Sequence, residues 1–394
     1  MNEKKISAIC KDATELIHEL KIDNGHKTFG DSLSKFYEKI YKYYCELINI
    51  HDFVSIICDN IDNELAKNNI KPKNFNGLLV NLLNKDNIQN IINNIVSTIE
   101  SVPTMENYVY IFFPNLNFSN FNEVKICDNI SFMEGTKDKI FLCYPLRNII
   151  NDEYRSLELY KDHIYLKIKT KGYAYNSIDS TAIQNALTIL KQLLFFSFDK
   201  DIFIPSKGYF TNIMYDYPAI YFSNTIDLEK CKAICLPPDL SNYIYNIRFS
   251  DTFIKKENFQ KDLWNVFSPA LKIINNNDPN YEYIKSSIDW AFEASLNINE
   301  TFSYIQTCIG IEAILGDDND NESLTNLLSD RCACLIGQNK IQRKKIKETF
   351  KKIYKTRSKL VHGRKLTLSV EEKSLLSQAE AILKLLIIKE IRQL

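Results

Sequence analysis

Apolar residues change their spacing twice along this chain, and the two changes divide it into three parts. In residues 1–103 they recur every three or four positions, as at Phe36, Ile40 and Leu47, which predicts helices. Residues 104–254 contain aromatic and β-branched runs that are typical of strands. Helical spacing returns in residues 255–394. The pattern predicts an α+β fold with an N-terminal helical region, a mixed α+β middle domain and an all-α C-terminal bundle.

The N-terminal region is expected to hold amphipathic helices that are separated by asparagine-rich connectors. One apolar stripe consists of Leu78, Leu79, Leu82 and Leu83, which we interpret as part of a helix. Residues 84–94 are rich in Asn and are expected to form a connector.

The middle domain should contain strands at its aromatic and β-branched runs. Within one run, Ile164, Leu166 and Ile168 alternate with polar and basic residues, which predicts a half-buried strand with a basic outer face. A helix is expected to open at residues 179–180. The predicted strands are residues 108–113, 139–144, 163–171, 209–210, 220–222 and a segment that ends near Phe249.

The C-terminal part reads as a succession of helices. Ser369 and Glu372 match a capping box at the start of the last helix, which is apolar almost all round. Such a helix lies either at the centre of its bundle or in a dimer interface. The predicted helices are residues 257–275, 279–296, 299–316, 322–337, 339–362 and 369–393.

The composition excludes several classes of protein. The chain has 394 residues, of which 45% are hydrophobic and 25% charged, and this is ordinary for a globular protein. No glycine-rich phosphate-binding motif, nucleophile elbow or zinc-ligand spacing occurs, so we expect no metal and no cofactor. The ten scattered cysteines are expected to be reduced and mostly buried. The N-terminus lacks an apolar signal sequence, which predicts a cytoplasmic protein without a membrane anchor.

Positive charge is concentrated near the C-terminus. Residues 340–365 contain twelve basic residues and one acidic residue, whereas the whole chain has 49 of each. A charge run often means only a solvated face, but a run of one sign repels itself. We therefore expect a nucleic acid or another polyphosphate as its partner. The residues expected to bind RNA are Lys355, Lys359, Arg364 and Lys365.

Three charged residues fall on apolar stripes of the predicted helices. Arg357 shares a stripe with apolar residues, and an unpaired guanidinium away from water is costly, so it needs an anion. Arg331 and Glu312 should also face inward, and we interpret them as a structural ion pair. This pairing leaves Arg357 for an external phosphate. His362 falls in the last turn before Gly363, which places it near the negative end of the helix.

The C-terminal residues resemble the HEPN superfamily, and most of all its Apea-like branch. The resemblance rests on Glu312 in Ile-Glu-Ala-Ile-Leu-Gly, Arg331 in Leu-Ser-Asp-Arg-Cys-Ala, and the segment Tyr-Lys-Thr-Arg-Ser-Lys-Leu-Val-His-Gly that contains Arg357 and His362. It implies a metal-independent endoribonuclease that works as a homodimer in bacterial antiphage defence by abortive infection. It also implies that Arg357 and His362 are catalytic, with Ser358 as a third candidate. Ser358 occupies the polar position after the Arg, where other members often have Asn or Asp.

The chemistry of RNA cleavage suits these residues. An imidazole titrates near neutral pH and transfers protons, while a guanidinium holds phosphate oxygens. One His per chain supplies one proton-transfer group, so we expect two chains to combine theirs in a dimer. The expected substrate is RNA, with tRNA as a candidate, and the N-terminal parts are expected to sense a phage-derived trigger or to restrain the nuclease.

Two other functions are compatible with the same residues. The basic helix and Arg357 suit a non-catalytic module that binds RNA or a protein, in which His362 is incidental. They also suit a toxin that a partner antitoxin neutralises. Loss of cleavage in His362→Ala would separate a nuclease from a binding module.

Overall fold

The computed structural model describes a mixed α+β protein, as the sequence predicts. The predicted strands at 139–144 and 209–210 lie outside the described residues. The described residues are 3–44, 47–117, 123–134, 163–175, 177–198, 202–205, 220–224, 232–250, 259–274, 278, 281–316 and 324–393.

Four helices and a small antiparallel sheet form the N-terminal unit. Their apolar faces share a core that runs from Ile9 to Val102. The three strands are arranged in the order β2-β1-β3. The elements are α1 (Glu3–Glu19), β1 (Lys21–Asp23), β2 (His26–Thr28), α2 (Ser32–Tyr44), α3 (Ile50–Lys67), β3 (Asn76–Leu78) and α4 (Lys85–Ser101).

Two predictions for this unit are wrong. Leu78 ends strand β3, and the next residues form a short 3-10 turn instead of an α-helix. The asparagine-rich segment 84–94 is not a connector, because most of it belongs to α4. Asn84 caps this helix by accepting a hydrogen bond from the backbone N–H of Asn87 at 2.8 Å. The isoleucines of the same segment supply the buried face, so periodicity outweighs asparagine content.

A six-stranded antiparallel sheet forms the middle of the chain, in the order β10-β9-β4-β7-β6-β5. The strand predicted at residues 163–171 is confirmed as β7, and it pairs with β4 along most of its length. Helix α5 packs against β4 and β7. The elements are β4 (Glu106–Asn117), β5 (Glu123–Cys127), β6 (Ile130–Glu134), β7 (His163–Lys171), α5 (Thr181–Phe198), β9 (Ile220–Ser223) and β10 (Lys232–Ile234).

A two-stranded sheet and a short helix lead into the C-terminal helices. The six helices predicted from residue 257 onward are confirmed to within a few residues at each end. The capping box at Ser369 and Glu372 is confirmed as well. The elements are β8 (Phe203–Pro205), α6 (Pro238–Tyr245), β11 (Ile247–Phe249), α7 (Phe259–Ile274), α8 (Glu282–Leu296), α9 (Glu300–Leu315), α10 (Leu324–Ile336), α11 (Lys340–Val361) and α12 (Val370–Gln393).

Two hydrophobic cores organise the described residues. The core of the N-terminal unit ends next to the predicted boundary at residue 103. The second core runs without interruption from the six-stranded sheet through α5 into helices α7 to α12, and so it crosses the predicted boundary at residue 254. The middle strands and the C-terminal helices are therefore packed as one body.

The buried carboxylate of Asp52 joins the two bodies. It accepts hydrogen bonds from the backbone N–H of Asn49 at 3.1 Å, which completes the capping box of α3, and from the backbone N–H and hydroxyl of Thr181, where α5 begins. Asn49 also donates from its amide to the carbonyl of Asp179 at 2.7 Å. One carboxylate thus caps a helix in each body.

The cysteines of the described residues are free, as expected. Their burial is lower than predicted: Cys308 and Cys332 are buried, whereas Cys235 and Cys334 are exposed.

Candidate functional site

Helix α11 presents a surface rich in lysines to solvent, with Glu348 and Ile341 also exposed on it. We define this lysine face by its exposed members, which are Lys340, Lys344, Lys345, Lys351, Lys352, Lys355 and Lys359. At about 100° per residue, they span an arc of about 140° around the helix. The opposite side of α11 carries Phe350, Ile353 and Leu360, which are buried in the second core. The helix therefore separates a charged side from an apolar side, and the charged side is open to a polyanion.

His362 lies at the C-terminal end of this surface. It is exposed and forms the C-cap of α11, where its backbone N–H donates to the carbonyl of Ser358 at 3.1 Å. Gly363 has a φ of 66°, a left-handed conformation that ends the helix at the predicted residue. Ser358 is exposed as well. By helix geometry, His362 and Ser358 lie within the arc of the lysine face or at its edge.

Arg357 lies on the other side of α11, where it meets α9. Its Nη2 donates to Glu312 Oε2 at 3.1 Å, and the two side chains are 29% and 24% exposed. No hydrogen bond or ion pair of the described residues joins Arg357 to His362. The five-residue separation places them about 140° apart around the helix. A single chain therefore does not bring the two predicted catalytic residues together.

The predicted ion pair between Glu312 and Arg331 is wrong in its partner. Glu312 pairs with Arg357, while Arg331 reaches the end of α9 and donates from Nη1 to the carbonyl of Leu315 at 2.8 Å. Helix packing explains the difference, because Glu312 lies on the side of α9 that faces α11. Arg331 on α10 instead meets the unsatisfied carbonyls at the C-terminus of α9.

The Glu312–Arg357 pair retains unused hydrogen-bonding capacity. Glu312 Oε1, Arg357 Nε and the Tyr354 hydroxyl are buried and have no partner at hydrogen-bond distance. Burial raises the pKa of the Tyr354 hydroxyl, and the Glu312 carboxylate adds to the rise while Arg357 opposes it. Burial likewise raises the pKa of the Cys308 thiol, with Glu312 contributing and Arg357 opposing. Tyr354 and Cys308 therefore remain protonated at neutral pH, and the thiol is not a nucleophile.

Tyr304 fixes the position of α11. It is fully buried on α9 and donates from its hydroxyl to the carbonyl of Ile353 at 3.1 Å. Tyr354 stacks on Phe350 with ring centroids 4.5 Å apart. The sequence alone does not identify Tyr304 or Cys308, because a Tyr or Cys within an apolar stripe looks like an ordinary core residue. That these side chains face α11 is visible only in the structure. The positions of Tyr304, Cys308 and Glu312, four apart, are the signal that points to one shared face.

The four predicted RNA-binding residues divide into two groups. Lys355, Lys359 and Arg364 are exposed. Lys365 is not free, because its ammonium forms an ion pair with Glu372, which also accepts from the backbone N–H of Ser369 at 2.8 Å. Lys365 therefore belongs to the N-terminal cap of α12, because it pairs with the same Glu372 carboxylate that accepts from Ser369.

Within the described ranges, no group of His, Cys, Asp and Glu side chains is arranged to bind a metal ion. No described helix is both long and apolar enough to cross a bilayer. Comparisons with models of protein families, with curated proteins and with solved structures found no match to this chain.

Proposed function

We propose that this protein is a metal-independent endoribonuclease in which His362 and Arg357 are the catalytic residues. The observation that carries the proposal is the position of His362 at the end of the lysine face, on the same side of α11. An RNA backbone that binds along the lysines would reach an exposed imidazole. The resemblance of the Arg357–His362 segment to HEPN nucleases supports the same function, and an HEPN-type arrangement of helices α7 to α12 is part of the proposal.

The reaction is an internal transesterification. The ribose 2′-oxygen attacks the adjacent phosphorus, the 2′-hydroxyl proton leaves to a base, and the bond from phosphorus to the 5′-oxygen breaks as that oxygen gains a proton. The products are a 2′,3′-cyclic phosphate and a 5′-hydroxyl. His362 transfers a proton, and Arg357 stabilises the negative charge that accumulates on the phosphate oxygens.

The catalytic site requires a second chain in this proposal. Arg357 and His362 lie on different sides of α11, so each chain offers one half of a site at the helix end. Large apolar side chains are exposed around the same end of the bundle, and we propose that they are the contact between two copies. They are Ile298, Phe302, Val361, Leu366 and Val370. A hydrogen bond of 3.2 Å from the Thr301 hydroxyl to the carbonyl of Leu366 keeps the start of α9 beside the α11–α12 connection.

We further propose that the nuclease acts in bacterial antiphage defence. The N-terminal unit has its own core, which suits a sensing or restraining part that meets a phage-derived trigger or an inhibitory partner protein. This biological assignment follows from the HEPN resemblance and from the division of the chain into two bodies.

A non-catalytic RNA-binding module is the second candidate. The observation in its favour is the ion pair between Arg357 and Glu312, because an arginine held by a carboxylate of its own chain is not free to hold phosphate. In that function the lysine face binds RNA and His362 has no chemical part.

The experiment that separates the two incubates purified protein with total RNA and with tRNA in EDTA. The variant is His362→Ala, and His26→Ala is the matched control because His26 is also exposed but lies on β2. We expect the wild type and the control to cleave RNA, and His362→Ala to bind RNA without cleaving it. Binding without cleavage by the wild type would favour the second candidate, and cleavage by His362→Ala would exclude His362 as a catalytic residue.

A further inference from the structure

A cavity of about 930 Å³ lies away from α11, between one end of the six-stranded sheet and the helices α5 and α8. The volume is within the range of cavities that hold small-molecule ligands. Asn185 and Ser286 line it and are exposed, so a ligand can enter from solvent. Much of the remaining wall is apolar and suits a ligand with an apolar body. The apolar residues that line it are Leu47, Ile130, Ile189, Ile274 and Trp290.

Three residues that line the cavity carry buried polar atoms without a hydrogen-bond partner. They are the carboxylate oxygen Oδ1 of Asp289, the amide oxygen of Gln192 and the hydroxyl of Thr170. Gln192 is 1% exposed and Thr170 is 5% exposed. Buried polar atoms in folded proteins almost always have partners, since leaving them unpaired is costly. The carboxylate and the amide oxygen can only accept hydrogen bonds, so the missing partner is a donor.

The charged side chains around Asp289 leave one negative charge uncompensated. Lys191 binds Glu293 at 2.6 Å, and Lys285 binds Glu282 at 2.9 Å. Among the described residues, no ion pair includes Asp289. Two lysines therefore serve three carboxylates, and the remaining charge lies on Asp289.

The lysines of β7 do not supply the missing cation. Lys169 and Lys171 flank Thr170, whose side chain is buried, and successive side chains of a strand point to opposite faces of the sheet. The two lysine side chains therefore leave β7 on the other face, where Lys169 pairs with Glu106 at 2.8 Å. The partner of Asp289 has to come from a ligand.

Asp289 is mostly ionised at neutral pH. Burial, which is the largest influence, raises its pKa to about 6, Lys191 opposes the rise, and Glu293 and Glu282 add to it. At pH 7 the carboxylate is therefore mostly charged. A charged and largely buried carboxylate gains most from direct contact with a cation that donates hydrogen bonds to it.

We propose that this cavity binds a small organic ammonium ion with an apolar body. The ammonium group donates to Asp289, while the apolar body packs against the aliphatic wall and Trp290, a residue type whose ring also attracts cations. A metal ion is a poor fit, because no group of His, Cys, Asp and Glu side chains in the described ranges is arranged to bind one. The site is independent of the proposed nuclease, since no residue of α11 lines the cavity.

The test is isothermal titration calorimetry of the full chain at pH 7 with two apolar amines, tryptamine and phenethylamine. Tryptophol and indole-3-propionate carry the indole of tryptamine with a neutral or a negative end, so they separate recognition of the ammonium from recognition of the apolar body. Spermidine is included as a polyamine without an aromatic body.

Two variants of the cavity are each compared with a matched control. Asp289→Asn removes the charge and keeps the size of the side chain, and Asp239→Asn is its control because Asp239 is an exposed acid on α6. Ser286→Arg places a guanidinium of the chain in the cavity, one turn before Asp289, and remains informative if Asp289→Asn does not fold. Ser377→Arg is its control, because Ser377 is an exposed serine on α12.

We expect tryptamine and phenethylamine to bind the wild type and both controls, and tryptophol and indole-3-propionate to bind at least about tenfold more weakly than tryptamine. Asp289→Asn and Ser286→Arg should each weaken binding of the amines by about tenfold or more. Equal binding of tryptamine and tryptophol would show an apolar cavity without cation recognition and overturn the proposal. Binding of spermidine alone, amine binding that Asp289→Asn leaves unchanged, or binding of none of the probes would overturn it as well.

Discussion

At the scale of single residues, the guanidinium of Arg357 on α11 and the carboxylate of Glu312 on α9 form a mostly buried ion pair that joins the two helices. Apolar periodicity correctly predicts that Arg357 faces the interior and needs an anion. The identity of that anion depends on which helices pack together, and periodicity within one helix carries no information about its neighbours. Glu312 had two arginines as candidate partners in the sequence, and only the packing of α9 against α11 selects between them.

The Glu312–Arg357 pair predicts energetic coupling. We expect Glu312→Gln and Arg357→Met each to lower the free energy of unfolding, and a double-mutant cycle to give a coupling of about 1–2 kcal/mol, since both side chains are mostly buried. The measurement is urea denaturation of the four proteins. A cycle of Glu312→Gln with Arg331→Met is the control and should give a smaller coupling. A larger coupling of Glu312 with Arg331 than with Arg357 would instead support the ion pair that the sequence suggested.

The carboxylate of Glu372 predicts a pH dependence of stability. The hydrogen bond from Lys365, followed by that from the backbone of Ser369, lowers its pKa to about 2. A lowered pKa contributes stability above the ordinary value of about 4.5, and this stability is lost as the pH falls from there toward 2. We expect Glu372→Gln to lower the free energy of unfolding by about 1 kcal/mol at pH 7, a value that allows for solvent screening of the ion pair. At pH 3 the loss should be smaller, because the wild-type carboxylate is then partly protonated.

The check on Glu372 is denaturation at pH 7, 5, 4 and 3. Glu371→Gln is the control, because Glu371 is an exposed acid in the same helical turn. A loss of stability in Glu372→Gln that stays constant over this range would contradict the role of the charged carboxylate.

At the scale of elements, the lysine face of α11 predicts a salt-dependent interaction with RNA. We expect replacement of Lys352, Lys355 and Lys359 by Ala to weaken RNA binding without changing its sequence preference. Each phosphate contact that is lost should reduce the slope of log K against log salt by about 1. Lys35→Ala combined with Lys42→Ala is the control, since both lysines are exposed on α2. Equal salt slopes for all variants would remove the lysine face from RNA binding.

The elements also differ in how well the sequence predicts them. Helices α7 to α12 have strong apolar periodicity and recognisable caps, so their positions follow from the sequence. Strands β1 to β3 have three residues each, which is too short for an alternating pattern to be detected. Helix α4 was missed because asparagine favours turns, although here the Asn side chains lie on or near its solvent side.

At the scale of the whole molecule, Asp52 predicts how the two bodies unfold. We expect Asp52→Ala to destabilise the protein by about 3 kcal/mol, because buried N–H groups at the starts of both α3 and α5 lose their acceptor. The loss should also uncouple the two cores and give two unfolding transitions in calorimetry. Asp62→Ala is the control, because Asp62 is an exposed acid on the same helix and its partner, Lys27, belongs to the N-terminal unit. A single transition at lower temperature would mean that Asp52 stabilises without linking the bodies.

The division of the chain into two packed bodies cannot be predicted from the spacing of apolar residues. The change from strands to helices near residue 254 suggested a domain boundary, yet one core crosses it. Such a core is made by contacts between residues far apart in the chain, and local spacing does not report them. For the same reason local spacing does not predict the cavity near Asp289, whose walls come from both bodies.

The end groups of the cleaved RNA test the central claim most directly. Transesterification by His362 and Arg357 without a metal requires the 2′-oxygen as nucleophile, so mass spectrometry of the first fragments made in EDTA should find a 2′,3′-cyclic phosphate and a 5′-hydroxyl. Fragments with a 3′-hydroxyl and a 5′-phosphate would contradict the account, because they come from attack by water on the phosphorus. Activity that EDTA abolishes would contradict it as well, because it depends on a metal ion.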